Sequence, residues 1–212
     1  MAKAFKIGEQ PLTISIISKI IKENIPIVIS SGVKKKIKDC RQYLNRKIKT
    51  SSEPIYGINT GFGSLCNHKV SKEDLESLQR NLVLSHACGT GDKVPEEIVR
   101  IMLLLKVQSL AYGYSGVQLK TVEFLIAMFN KNILPVVFQQ GSLGASGDLS
   151  PLAHLSLPIL GEGRVVVNGK EVATKSIMGI NKWKAIELQS KEGLALLNGT
   201  QFMSAYGVWI LL

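Results

Sequence analysis

Cysteine, aromatic and acidic residues are all scarce in this 212-residue sequence. Three cysteines occur, Cys40, Cys66 and Cys88, separated by 26 and 22 residues. An odd number without paired spacing does not make a disulfide scaffold, and a reduced, cytoplasmic protein is the expectation. Apolar runs are short, Met102–Leu105 and Val208–Leu212 being typical, against the roughly 20 residues that cross a bilayer. The start, MAKAFKIGEQPLTISIISKII, lacks an unbroken apolar stretch and a small-residue cleavage site, so no secretory signal is expected. Repeats, low-complexity tracts and Pro/Ser-rich linkers are also missing. What remains is 45% apolar, enough to bury a core, which excludes the disordered and collagen-like classes. The length suggests one domain, or one and a piece of another.

Acidic residues are outnumbered 26 to 16, and the imbalance is local. Residues 1–50 hold 12 Lys/Arg against 3 Asp/Glu, whereas the rest of the chain is nearly balanced. Such a block can mark a nucleic-acid surface. Here, however, Val33, Ile37, Cys40, Leu44 and Ile48 recur at helical spacing through VKKKIKDCRQYLNRKIK, so the lysines read as the wet face of an amphipathic helix. No RNP-like aromatics, zinc finger or Gly-Lys-Thr loop accompanies them. Neither a nucleic-acid nor a membrane partner is expected.

Beyond Gly57–Gly63 the pattern becomes helical. Ser71 and Asp74 resemble a capping box ahead of Leu75, Leu78, Leu82 and His86, and Gly89 and Gly91 end that element. Pro95, Glu96 and Glu97 suit the first turn of another helix, because proline needs no donor there and carboxylates complement the dipole. Its continuation, IVRIMLLLKVQSLA, is apolar nearly all round and predicts a central, buried helix. After a GYSG break at 113–116 a third helix carries Val122, Leu125, Met128 and Phe129. RVVVNGKEV (164–172) predicts a tight hairpin turning at Asn168-Gly169. From about Lys182 the chain is expected to be helical again. It ends in AYGVWILL without a glycine cap or polar tail, which predicts the front portion of a longer protein or an end covered by a partner. The domain division expected is 1–181 as an N-terminal domain and 182–212 as the start of a helical bundle.

The most unusual stretch is PVVFQQGSLGASGDLSPL (135–152). Gly141, Gly144 and Gly147 invite a phosphate cradle, but the spacing is neither GxGxxG nor GxxxxGK[ST]. A serine-hydrolase elbow would need glycine where Asp148 stands. A plain tight turn before a helix needs no function at all. A further possibility lies in Ala145-Ser146-Gly147. In a sharply bent backbone the Gly147 nitrogen can approach the Ala145 carbonyl carbon; closure with loss of water gives an imidazolone, and loss of the Ser146 hydroxyl gives an exocyclic methylidene. Glycine leaves its nitrogen unhindered, alanine opposes little, and serine supplies the leaving hydroxyl. The product is an electrophile, which ordinary side chains do not provide.

The loop GSLGASGDLSPLAHL resembles the signature of the aromatic amino-acid ammonia-lyases, which make the 4-methylidene-imidazol-5-one (MIO) group from Ala-Ser-Gly. YGINTGFGS (56–64), QRNLVLSHACGTGD (79–92) and EGLALLNGTQ (192–201) resemble the family in the same order. The similarity runs from about Glu53 to the end, and the basic head matches loosely. The resemblance implies a mainly α fold: the helical N-terminal domain of the lyases with a small β-hairpin, ending inside a long bundle helix. It implies MIO formed from Ala145, Ser146 and Gly147, with no metal expected.

It further implies that Tyr56 takes the substrate's β-proton, alone or in a relay. A phenol titrates near about 10, so it needs a positive charge or donor beside it, and the bland reading is a tyrosine capping a Gly-rich turn. Gly57, Gly61 and Gly63 would suit a flap closing over substrate. The Ser85-His86 pair matches the histidine-specific members, in which an imidazole exchanges a hydrogen bond with the substrate ring; by itself His86 reads as a core histidine. Asn198 matches an asparagine near the MIO carbonyl that can donate to developing negative charge, its plain alternative being a helix-interior asparagine bonded to a neighbouring turn. Asp148 either assists cyclisation or caps the next helix. His154 is read as structural, and a zinc set from Cys66, His68, His86 and Cys88 is set aside on spacing.

The implied activity is elimination of ammonia from L-histidine to give urocanate, in a homotetramer whose sites draw on several subunits and on a later half of the chain that holds the substrate carboxylate. The alternatives are a tyrosine or phenylalanine ammonia-lyase, or a non-catalytic module with the same N-terminal fold.

Overall fold

A computed structural model of the chain describes residues 4–50, 53–61, 70–71, 74–142 and 148–212. The architecture is mainly helical, with short strands at its margins. Its axis is helix α4 (Glu96–Ala111), which starts behind Pro95 as the sequence predicts. Eleven of its sixteen residues are buried, so this helix has core on every side rather than an amphipathic face. Four helices lean on it: α1 (Ile14–Lys22), α2 (Ser31–Thr50), α5 (Leu119–Asn130) and the last helix of the chain (Gln201–Ile210). Val122, Leu125, Met128 and Phe129 of α5 are all buried against that axis.

Helix α2 has its lysines 35, 36, 38, 47 and 49 exposed, as an amphipathic face requires. Its buried stripe is Val33, Ile37, Arg41 and Leu44; Cys40 and Ile48, expected in the stripe, are only half-buried. Arg41 replaces them because its donors are satisfied: Nη1 donates to Gly116 O at 2.9 Å and Ser190 O at 2.8 Å, and Nη2 to Ser190 Oγ at 3.0 Å. A buried cation paired in this way anchors the 113–116 break and the segment before residue 191 to one helix.

Helix α3 (Leu75–His86) follows a turn in which Ser71 Oγ accepts from the Asp74 amide at 3.2 Å. The stripe it buries is Leu75, Gln79 and Val83, not the predicted Leu78, Leu82 and His86, which are half-buried. The rotation has a polar cause: Gln79 Oε1 accepts from the Gly193 amide at 2.9 Å, turning that glutamine inward.

The strands are short. β1 (Phe5–Ile7) pairs in parallel with β2 (Ile27–Ile29). β3 (Thr90–Lys93) pairs antiparallel with β5 (Phe138–Gln140), and β4 (Leu134–Pro135) extends the hairpin of β6 (Arg164–Val167) and β7 (Lys170–Ala173). Asn168 and Gly169 take φ values of 50° and 71°, the left-handed pair that a type I′ turn demands.

Between β5 and β6 lies α6 (Leu149–Ser156), continued by a 3₁₀ turn over Leu157–Leu160. The chain then runs through α7 (Thr174–Asn181), α8 (Glu192–Leu197) and α9 (Gln201–Ile210). Lys182 is not the start of a helix but the end of one: it caps α7 in the left-handed region at φ 55°, and helix resumes only at Glu192. The interval is held by the Glu192 carboxylate, which accepts from Gln118 N (2.8 Å), Thr121 Oγ1 (2.7 Å) and Gln189 N (2.9 Å). Among the described residues no helix is long and apolar enough to cross a membrane.

Candidate active site

Helices α3, α6 and α8 pack on one another, and α6 also meets α9. His86, Asp148 and Asn198 stand at the ends of three of these elements, so the fold gathers three segments that are far apart in the chain. Ala145, Ser146 and Gly147 lie outside the described residues, but both flanks of their loop are held. On one side, Ser142 Oγ accepts from the Ser150 amide at 3.0 Å, bridging eight positions. On the other, Asp148 is buried at 2% exposure. Its Oδ2 accepts from the amides of Phe202 at 3.0 Å and Met203 at 3.1 Å. Asp148 thus starts α6 while supplying the negative charge at the N-terminus of α9, where two backbone donors would otherwise be orphaned. Burial pushes its carboxyl above the ordinary range, and the two amides and the Lys106 charge oppose that shift.

Gly141, before the loop, has φ 129°, and a Cβ there would lie 2.7 Å from the Gly89 Cα. Only glycine allows the two backbones to meet this closely. The same crossing is fixed by His154, whose Nε2 accepts from the Gly89 amide at 2.9 Å and whose ring meets Phe138 edge-on. Since Nε2 accepts, the proton sits on Nδ1, and burial lowers the pKa of the ring, favouring this neutral form.

His86 closes α3. Its Nδ1 lies 2.8 Å from Leu82 O and 3.3 Å from Ser85 Oγ. A carbonyl can only accept, so Nδ1 carries the proton and Nε2 is left as an acceptor in the neutral ring. Asn198 does not sit in a helix interior. It caps α8 in an extended conformation (ψ 130°) with its side chain exposed. Gly199 follows with φ 143°, turning the chain into α9.

Tyr56 is 55% exposed in a turn beginning a short distance before the residues outside the description, which include Gly63. The turn is held locally: Ile55 N donates to Asn59 Oδ1 at 2.6 Å, Asn59 Nδ2 to Glu53 O at 3.0 Å, and Gly57 N to Thr60 Oγ1 at 3.3 Å. Cys66 and His68 of the rejected zinc set also fall outside the description. Cys88 is exposed.

Sequence reasoning missed Lys106. It is fully buried on α4, and its Nζ donates to Ala195 O and Asn198 O, both at 3.2 Å. Burial pulls the ammonium down to about 7, with the Asp148 charge opposing. The signal was present: a single lysine in a helix apolar nearly all round has no solvent face on which to lie.

The profile of the family described as aromatic amino acid lyase matches residues 12–212. The match therefore takes in most of the basic head, well before Glu53. Histidine ammonia-lyase of Caldanaerobacter subterraneus subsp. tengcongensis is 47% identical over 196 residues, covering 92% of this chain and 38% of that protein. The crystal structure of histidine ammonia-lyase from Trypanosoma cruzi aligns at a TM-score of 0.86 and 35% identity, over 98% of this chain and 40% of that one. Tyrosine aminomutase from Streptomyces globisporus aligns at 0.90 and 30% identity, over 99% and 39%. The chain thus spans about two fifths of the length of these relatives.

Proposed function

The chain belongs to the aromatic amino acid lyase family, and on that footing we propose that the protein carrying it is a histidine ammonia-lyase, converting L-histidine to urocanate and ammonia. The observation that carries the substrate choice is His86. Its Nδ1–H is spent on Leu82 O, which leaves Nε2 of the neutral ring as the nitrogen that can accept from a ligand. A substrate imidazole has an N–H to give it; a benzene ring has none, and a phenol offers its hydroxyl only at the far end of a longer ring. The resemblance to curated histidine ammonia-lyases supports the same choice.

The residues present fit an MIO group made from Ala145, Ser146 and Gly147: the loop's flanks are pinned at Ser142 and Asp148, which is the kind of surrounding structure that can hold a strained tripeptide. When formed, the group supplies an electrophile that activates the substrate for loss of its amine. The chain's own residues do the rest. His86 orients the ring, Tyr56 receives the β-proton, and the Asn198 amide donates to oxygen as negative charge develops on it. In the complete protein, residues 1–181 form the loop-bearing domain and 182–212 begin the central bundle. The assembly is a homotetramer in the cytoplasm, without a metal, nucleic acid or membrane partner.

The test uses the complete natural protein. Its intact mass should be lower by two waters, localised to the peptide containing Ser146, and histidine should be turned over in preference to tyrosine and phenylalanine. Ser146→Ala should restore the unmodified mass and abolish turnover while the circular dichroism spectrum is kept. An unmodified mass in the active parent, or a preference for phenylalanine or tyrosine, would refute the reading.

A further inference from the structure

The corner between α8 and α9 is enclosed by opposite charges. Lys106 reaches it from α4 and donates to Ala195 O and Asn198 O, at the carbonyl end of α8. Asp148 reaches it from the start of α6 and accepts from Phe202 N and Met203 N, at the amide end of α9. Each charge has the sign that its helix terminus favours. Between them lie Asn198, Gly199 and Thr200. The Asn198 side chain is exposed and makes no hydrogen bond to another described residue, so its place depends on where the backbone of this corner sits.

We propose that Lys106 is a positioning residue: with Asp148 it clamps the α8–α9 corner and so aims the Asn198 amide. The inference rests on the role given above to Asn198. A buried ammonium is costly unless its donors are used, and both carbonyls it serves belong to this one corner. Its burial on the central helix, which packs along α9, gives the clamp a rigid base. The side chain touches no reacting atom in this scheme; it acts through Asn198.

Two readouts on the complete natural protein test this. In Lys106→Met, hydrogen exchange at Asn198 and residues 201–203 should quicken about 10-fold or more while the α5 core is unchanged, because only the clamp has been opened. Lys106→Arg, which keeps charge and donors, should restore protection. Turnover of histidine by Lys106→Met should fall about 30-fold with KM changed less than about 3-fold, and that loss should shrink to within about 2-fold in an Asn198→Ala background. If Lys106→Met does not fold, Lys106→Gln carries the same expectations. Unaltered exchange at the corner overturns the clamp. A Lys106 loss that persists in full on Asn198→Ala overturns the route through that residue. Unimpaired turnover by Asn198→Ala alone rejects the role of Asn198, and the proposal then falls through that reading while the exchange data still report on the clamp.

Discussion

Asp148 serves two helices at once, and the cost of removing it separates its parts. Asp148→Ala removes the acceptor of the part-buried Phe202 and Met203 amide bonds at the start of α9, which should destabilise the protein by about 0.5–2 kcal/mol in denaturant unfolding. Asp148→Asn keeps an acceptor oxygen and should lose less; equal losses would mean that the charge, not the acceptor, matters. The sequence offered two roles for this residue, help in cyclisation or a cap on the helix that follows it. The cap the structure shows is on α9, some fifty residues away, a pairing that no local pattern contains. His86 was legible in a different sense. Its identity pointed to an imidazole partner, but the tautomer that makes Nε2 an acceptor depends on Leu82 O, one helical turn back.

At the scale of elements, helices announced themselves wherever burial is one-sided or complete. α4 and α5 follow their apolar patterns because the polar side chains buried on them, Lys106, Gln108 and Thr121, are few against the apolar ones. α3 was misread because an inward glutamine, paired to the Gly193 amide, rotates its buried face. That contact yields a prediction. A Cβ on Gly193 would stand 2.8 Å from the Gln79 carbonyl oxygen, so Gly193→Ala must push α8 off α3. The expected loss is about 1–3 kcal/mol in thermal or denaturant unfolding, and an unchanged midpoint would show that α8 has slack. The segment from Lys182 was misread as helical because its stability comes from Glu192 accepting distant donors rather than from periodicity.

For the whole molecule, the buried Lys106 couples stability to pH with a definite sign. Its folded pKa of about 7 lies below the unfolded value of 10.5. Between those limits the unfolded chain binds more protons, so this group makes stability rise with pH from about 7 toward 10 and contributes no slope below. Unfolding free energies of the complete protein, taken relative to Lys106→Met so that other titrating groups cancel, should climb across that window; a flat difference would mean that the ammonium is not buried. The sequence by itself determined what is local or compositional: the helices with a repeating apolar face and the Asn168-Gly169 turn; it also supplied the Ala145-Ser146-Gly147 tripeptide on which the proposed cyclisation rests. Four ordered motifs carried the family. Tertiary structure alone decided which distant groups share a charge or a proton: Lys106 with the end of α8, Asp148 with the start of α9, Arg41 with Ser190. Such pairings reflect burial, where an unsatisfied polar group is expensive and must find whichever partner the packing brings within about 3 Å, and linear spacing holds no record of that search.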